Sequence, residues 1–138
     1  PAPYKGEDFT LKDLGGRSVS VSQFAGQYVL IDFSATWCGP CNASIPKIQQ
    51  AHATYAKDGL VVLAVYAEDA NTVREHMAGK GANYPILVDP EDRVGGQYAV
   101  RSFPTFILLG PDGTKLGVGM GQAGISQLVA KFKQASGK

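Results

Sequence analysis

Features that mark nucleic-acid-binding, membrane-spanning or disulfide-rich proteins are scarce in this sequence. Its 138 residues include only two cysteines, two histidines and one tryptophan. Lys and Arg number 13 against 12 Asp and Glu, and they form no basic run that would bind nucleic acid or a membrane surface. The longest apolar run, residues 60–67, is far shorter than the roughly 20 residues that span a bilayer. We therefore expect no nucleic-acid partner and no membrane insertion by this fragment.

An initiating methionine is also lacking, since the chain begins Pro1-Ala2-Pro3. We interpret it as a processed or trimmed chain from which any targeting segment has been removed. With 44% apolar residues, a chain of this length can bury a core of its own. No internal repeat or linker divides it. The sequence predicts a single domain over residues 1–138, with residues 1–7 as a flexible N-terminal segment.

Apolar periodicity and turn residues predict an α/β fold. Residues 28–33 and 60–67 are near-continuous apolar runs, typical of parallel strands buried on both faces. Further strands are predicted at 9–14, 18–21, 85–88, 105–109 and 115–118, and helical segments at 42–57, from 72, at 92–98 and around 125–132. The order of these elements requires a mixed central sheet flanked by helices on both faces, preceded by an N-terminal β-hairpin.

Local signals set some helix and hairpin ends. Thr72 and Glu75 have the spacing of a capping box, which predicts that a helix begins at Thr72. Gly59 is predicted to end the helix that precedes the second main strand. Residues 110–113, Gly-Pro-Asp-Gly, predict the turn of a hairpin.

The two cysteines stand three positions apart, directly after a predicted strand, as Cys38-Gly39-Pro40-Cys41. A disulfide across two residues closes too short a loop to stabilise the fold much, so chemistry must explain the pair. Cys38 is predicted at a helix N-terminus, where free N–H groups and the helix dipole favour a thiolate at neutral pH. Cys38 would then attack a partner disulfide and Cys41 would resolve the mixed disulfide; the reverse steps oxidise a dithiol.

Half of a zinc site and a purely structural disulfide are the alternatives for this pair. Only His52 and His76 could complete a zinc site. His76 is predicted on the outer, solvated face of its helix, and His52 as a satisfied histidine on a packed face about three turns past the cysteines. Neither converges on the pair, so we expect no metal.

A glycine run at residues 119–124 matches the dinucleotide-binding pattern G-x-G-x-x-G. Only fourteen residues follow it, and no Asp or Glu occurs after Asp112, whereas a dinucleotide fold needs another strand and an acidic residue. We interpret the run as a glycine-rich exit from the last strand. No cofactor is expected other than the redox-active disulfide Cys38–Cys41.

The segment Trp37-Cys38-Gly39-Pro40-Cys41 resembles the thioredoxin active site, and the resemblance covers residues 8–135. Three further matches stand at fixed offsets: Asp32, Pro46 and Phe103-Pro104-Thr105. In that family the proline of the last segment is cis, and its loop faces the cysteines and receives the substrate backbone. The resemblance therefore implies a thioredoxin fold, with catalytic Cys38, Cys41 and Asp32. It also implies supporting or substrate-binding roles for Trp37, Gly39, Pro40, Phe103, Pro104 and Thr105.

Within that superfamily, the lead hairpin, the Ala35-Thr36-Trp37-Cys38 segment and an insert from about Glu68 to Tyr98 resemble the TlpA/ResA-like thiol–disulfide oxidoreductases. The resemblance implies a helix–strand insert after the second main strand and an extracytoplasmic or periplasmic location, with an N-terminal anchor that is missing here. A cytoplasmic location is the alternative. It also implies a protein disulfide substrate, such as apocytochrome c, and a membrane or soluble thiol electron donor. We expect a monomer.

Several polar residues near the motif are candidates for tuning it. Asp32 is predicted to be buried, with a raised pKa, as a proton acceptor for Cys41; the alternative is a buried Asp satisfied by local hydrogen bonds. Glu68 and Asp69 are candidate tuning acids, with Asp69 favoured; the alternative is a solvated loop acid or a helix-start charge. Ser34 replaces an aromatic residue of the thioredoxins, and Asn42 replaces a basic residue common in relatives.

Trp37 is predicted to cover the disulfide and contact the partner, with ordinary packing as the alternative. The favoured function is an enzyme that reduces protein disulfides. A protein thiol oxidase or isomerase is one alternative. A non-catalytic thioredoxin-like module, which binds partners or carries a metal such as copper, is another. A peroxidase is disfavoured because Thr-x-x-Cys is absent.

Overall fold

The computed structural model describes residues 4–138, and within them seven strands form one sheet. The strands are β1 (Thr10–Asp13), β2 (Ser18–Ser20), β3 (Tyr28–Ser34), β4 (Leu60–Tyr66), β5 (Ile86–Val88), β6 (Thr105–Leu109) and β7 (Lys115–Met120). Their order across the sheet is β2-β1-β5-β4-β3-β6-β7. β4 pairs in parallel with β3 and β5, while the other pairs are antiparallel. The predicted mixed α/β sheet is confirmed.

Four α-helices accompany the sheet in the described part of the chain: α1 (Gly39–Tyr55), α2 (Ala70–Met77), α3 (Arg93–Gln97) and α4 (Gly124–Ser136). Short 3₁₀ helices span Val21–Phe24 and Ala56–Asp58. α1 starts three residues earlier than predicted, because Cys38 acts as its N-cap and accepts a hydrogen bond from the Cys41 backbone N–H. Gly59, with φ 88°, ends the helical segment as predicted.

The cap of α2 differs from the predicted one. Asp69 is the N-cap, and its carboxylate accepts hydrogen bonds from the Thr72 backbone N–H at 2.9 Å and from Thr72 Oγ1 at 3.0 Å. The capping box predicted from Thr72 and Glu75 is therefore wrong. Asp and Thr are both favourable N-cap residues, and the capping-box spacing pointed to Thr72, three residues after the true N-cap.

The faces of the sheet bury two separate apolar cores. Along β3, Leu30 belongs to the core that contains residues of α1, α2 and α4, whereas Ile31 and Phe33 belong to the core beneath α3. Because side chains alternate along a strand, Asp32 points to the α1 side with Leu30. Helices cover both faces, and the buried carboxyl group lies on the side of the helix that carries Cys41.

The N-terminal hairpin is part of the main sheet, since β1 pairs with β5 through Lys12↔Val88. Residues 4–7, part of the segment predicted to be flexible, are hydrogen-bonded to the domain: Lys5 N–H donates to Asp112 O at 2.7 Å, and Tyr98 Oη donates to Glu7 O at 3.1 Å. Residues 1–3 of that prediction lie outside the described residues. Among residues 4–138, no helix is long and apolar enough to cross a membrane.

The glycine run 119–124 allows β7 and α4 to approach closely. A Cβ added to Gly119 would lie 2.7 Å from the Gly124 carbonyl oxygen, a distance that real Cβ atoms do not adopt. The run therefore works as a tight strand-to-helix connection, as interpreted from the sequence.

Candidate active site

Cys38 and Cys41 form a disulfide at the junction of β3 and α1, with their Cα atoms 5.2 Å apart. Both cysteines are buried, and Cys38, at 4% exposed, is slightly more accessible than Cys41, at 1%. Cys38 Sγ accepts a hydrogen bond from the Cys41 N–H at 3.2 Å. A donor aimed at this sulfur, at the positive end of a 17-residue helix, would stabilise negative charge on Cys38 after reduction.

The loop before β6 meets the disulfide. Its Phe103–Pro104 peptide bond is cis, and Phe103 packs on the cluster formed by Ala35, Cys38 and Cys41. Trp37 lies edge-on to Phe103, with ring centroids 5.9 Å apart, and is 74% exposed. Trp37 is therefore available to a partner, and its side chain is not a packed core residue.

The remaining predicted supporting residues lie in these two loops. The Thr105 hydroxyl donates to Ser102 O at 2.7 Å and braces the turn that contains the cis bond. Pro40 occupies the first turn of α1, and a Cβ at Gly39 would meet no atom within 4 Å. Gly39 therefore leaves the surface beside the disulfide open. The substrate-binding roles of these residues stay predictions.

Asp32 is buried, 1% exposed, in the middle of β3. Desolvation raises the pKa of its carboxyl group to about 7, and a hydrogen bond from Ser34 Oγ to Asp32 Oδ1, 2.6 Å long, works in the opposite direction. The predicted burial and raised pKa of Asp32 thus occur together with the local hydrogen bond of the alternative. Its catalytic role stays a prediction.

Glu68, and not Asp69, reaches the loop that precedes Cys38. Its two carboxylate oxygens accept hydrogen bonds from the Thr36 N–H at 2.7 Å and from Thr36 Oγ1 at 2.6 Å. Asp69 caps α2, and the hydrogen bond from the Thr72 N–H holds its pKa below the usual range. Asp69 is therefore the helix-start charge of the alternative, and a tuning role for Glu68 stays a prediction.

The sequence prediction for His76 is wrong. His76 is half-buried, and its Nε2 lies 2.8 Å from Oδ1 of Asn42, the residue after Cys41. A helical pattern could place His76 beside the inward-facing Met77, but it could not show that α2 packs next to the start of α1.

His52 lies on α1, with its ring centroid 6.5 Å from that of Tyr84. Its buried Nδ1 has no hydrogen-bond partner, so the prediction of a satisfied histidine is wrong.

Across the described residues, no three His, Cys, Asp or Glu side chains are grouped to hold a metal ion.

Residues 3–114 match the AhpC/TSA family. The chain belongs to this family. A curated relative, thiol-disulfide oxidoreductase ResA of Geobacillus thermodenitrificans, is 34% identical over 107 residues, covering 77% of this chain and 62% of that protein. The match thus spans about three-fifths of the relative's length.

Two solved structures are similar to this chain over most of its length. A protein described as a putative thiol:disulfide interchange protein DsbE from Chlorobium tepidum superposes with a TM-score of 0.86 at 29% identity, covering 97% of this chain and 96% of that one. The exposed lipoprotein thioredoxin Etrx1 of Streptococcus pneumoniae gives 0.78 at 29% identity, covering 91% and 99%. The predicted thioredoxin fold is confirmed for this family member.

Proposed function

We propose that this protein is a thiol–disulfide oxidoreductase that reduces disulfide bonds in other proteins. The observation that carries the proposal is the Cys38–Cys41 disulfide at the N-terminus of α1, flanked by exposed Trp37 and the loop with the cis bond before Pro104. The names of the ResA relative and of the Chlorobium tepidum structure support the same chemistry.

The reaction starts from the reduced pair. The Cys38 thiolate attacks one sulfur of the partner disulfide, so that a mixed disulfide forms and the other partner sulfur leaves as a thiolate. Cys41 then loses its proton and attacks Cys38 Sγ, which forms the Cys38–Cys41 disulfide and releases the second partner sulfur. Two electrons pass to the partner, and the protein is left in the oxidised form described above.

Asp32 is the proposed proton acceptor for Cys41. It lies on the α1 side of the sheet, and burial raises its pKa to about 7, which suits a base at neutral pH. A positioned carboxylate of this kind would accelerate the second attack, in which Cys41 must become a thiolate, more than the first.

The proposed function needs an electron donor, and we also propose a cellular location and a first substrate. A thiol electron donor, in a membrane or in solution, must reduce the disulfide after each cycle, and the dithiol itself carries the electrons without a bound cofactor. We place the protein outside the cytoplasm, and the exposed lipoprotein thioredoxin of Streptococcus pneumoniae supports this location. An oxidised Cys-x-x-Cys-His peptide, the c-type haem attachment motif, is the first substrate to test.

The reduction potential of the Cys38–Cys41 pair tests the direction of electron flow. We expect a value near or below about −250 mV, in the range of reducing thioredoxins. The measurement is an equilibrium titration against glutathione or dithiothreitol, followed by Trp37 fluorescence. A value above about −180 mV would make the protein an oxidase or isomerase, and a pair that does not exchange at all would leave only a binding module.

A trapping experiment assigns the two sulfurs. Cys41→Ser should accumulate a mixed disulfide with the peptide, because attack by Cys38 proceeds and resolution does not. Cys38→Ser is the matched control and should trap nothing. The opposite pattern would reverse the two roles.

A further inference from the structure

Every backbone and side-chain polar group of Thr36, two residues before Cys38, is held by a side chain from another element. Its N–H and hydroxyl both donate to Glu68, at the end of β4, at 2.7 and 2.6 Å. Its carbonyl oxygen accepts a hydrogen bond from Asn42 Nδ2, in the first turn of α1, at 3.1 Å. The backbone at Thr36 is therefore fixed from two sides, directly ahead of the redox motif.

His76 completes this arrangement from α2. Because Asn42 Nδ2 donates to the Thr36 carbonyl, Asn42 Oδ1 is the atom that faces His76 Nε2 at 2.8 Å. If the Asn42 amide were flipped, its oxygen would face the Thr36 carbonyl oxygen, and neither atom could donate. The amide oxygen therefore faces His76, and His76 Nε2 must carry the hydrogen that it donates to Asn42 Oδ1. Glu68, Thr36, Asn42 and His76 thus form one chain of hydrogen bonds, called here the redox-loop network.

Packing holds Ala35 and Cys38 at the two ends of this loop, but it contributes less to the residues between them. Trp37 is 74% exposed, and its ring packs edge-on against that of Phe103. The four members of the redox-loop network are half-buried, which shields their hydrogen bonds partly from water. The conformation of residues 36 and 37 therefore depends on this network together with the backbone hydrogen bond from the Cys38 N–H to Ala35 O at 3.2 Å.

We propose that Asn42 and His76 are positioning residues that hold residues 35–38, the redox loop, in the conformation seen with the disulfide closed. His76 does so from helix α2, which belongs to the insert between β4 and β5. The inference rests on the proposed thiol–disulfide exchange. Neither side chain touches the reacting sulfurs in this proposal: His76 orients the Asn42 amide, and Asn42 orients Thr36. The insert between β4 and β5 then contributes directly to the redox site.

The expected consequence concerns the balance of the two redox forms. The network exists while the disulfide is closed. Weakening it raises the free energy of the closed form, whereas the reduced loop is no longer constrained by the covalent ring. Loss of the network should therefore shift the equilibrium with glutathione towards the dithiol.

The test compares His76→Phe with His76→Gln. Phe removes the donor, and we expect the equilibrium constant with glutathione to shift at least threefold towards the reduced pair. The amide of Gln can restore a donor to Asn42, and it should return the constant to within twofold of the wild type. Glu75→Gln, an exposed neighbour on α2, is the matched control and should leave the constant unchanged.

A second variant guards against a general folding effect. Asn42→Ala removes both of its hydrogen bonds and should shift the constant in the same direction as His76→Phe, with little further change in the double variant. Equal shifts for His76→Phe and His76→Gln, additive effects, or no shift at all would overturn the inference. Failure of the proposed function looks different, because the wild-type pair itself would then have the reduction potential of an oxidase or isomerase, or would not exchange with glutathione at all.

Discussion

Ser34 and Asp32 are joined by a buried hydrogen bond beneath the redox loop. Both side chains are 1% exposed, and Ser34 Oγ lies 2.6 Å from Asp32 Oδ1. Burial favours the neutral acid and raises its pKa to about 7, while the hydroxyl stabilises the carboxylate and lowers the pKa. Ser34, which stands where thioredoxins carry an aromatic residue, thereby keeps the proposed proton acceptor usable near neutral pH.

Ser34→Ala should move the pH profile of the resolving step upwards. Without the hydroxyl, the pKa of Asp32 rises further above its ordinary value, and the carboxylate that accepts the Cys41 proton forms only at higher pH. Stopped-flow Trp37 fluorescence between pH 5 and pH 9 would give the profile. Ser34→Thr keeps the hydroxyl and is the control; an Ala profile that stays in place or moves down would contradict the argument.

At the scale of single elements, the short helix α3 depends on one carboxylate. Asp89 is 2% exposed, and its oxygens accept hydrogen bonds from the N–H groups of Arg93, Val94 and Gly95 at 2.9 to 3.2 Å. These are donors that the start of a helix leaves without intrahelical partners. A helix of five residues has little other local support, so this cap positions Val94 in its core.

Asp89→Ala should lower the free energy of unfolding by about 2–4 kcal/mol, because buried N–H groups lose their acceptor. Urea denaturation followed by circular dichroism measures the loss. Asp89→Asn retains one acceptor oxygen and should lose less. Since the cluster around the disulfide includes no residue of α3, the reduction potential should stay at the wild-type value, and a changed potential would contradict this expectation.

The elements themselves were largely predictable, whereas the contacts between them were not. β3 and β4 are continuous apolar runs, and the cysteine spacing identified the redox pair directly. The bonds from Thr36 to Glu68 and from His76 to Asn42 join residues 32 and 34 positions apart. The first pair continues the parallel register of β3 and β4, in which Ser34 lies beside Tyr66, and the second depends on how α2 lies against α1. The periodicity of a single segment encodes neither.

At the scale of the whole molecule, the buried Asp32 makes stability depend on pH. Its folded pKa is about 7, against an ordinary value near 3.8, so the native state holds the proton more tightly than the unfolded chain does. The stabilisation is complete below about pH 4 and is lost as the pH rises through about 7. A shift of about three units corresponds to a loss of roughly 4 kcal/mol.

Asp32→Asn should therefore be more stable than the wild type at pH 8, by up to about 4 kcal/mol, and the difference should shrink towards pH 5. Urea unfolding of the oxidised proteins at several pH values would measure it. A variant whose advantage grows as the pH falls would show that the sign of the Asp32 effect is wrong.

Residues 4–7 are hydrogen-bonded to the domain at the end of the sheet that lies away from the disulfide. β6 runs from the loop at Pro104 to the turn at residues 110–113, and its five residues span about 17 Å. The backbone N–H groups of Lys5 and Gly6 donate hydrogen bonds to Asp112 O in that turn. The described chain thus enters at the end of the sheet opposite to Cys38, since Phe33 pairs with Thr105 at the other end of β6. Anything joined ahead of residue 4 would therefore lie away from the disulfide, and it would leave the exposed Trp37 beside the cysteines free to meet a partner.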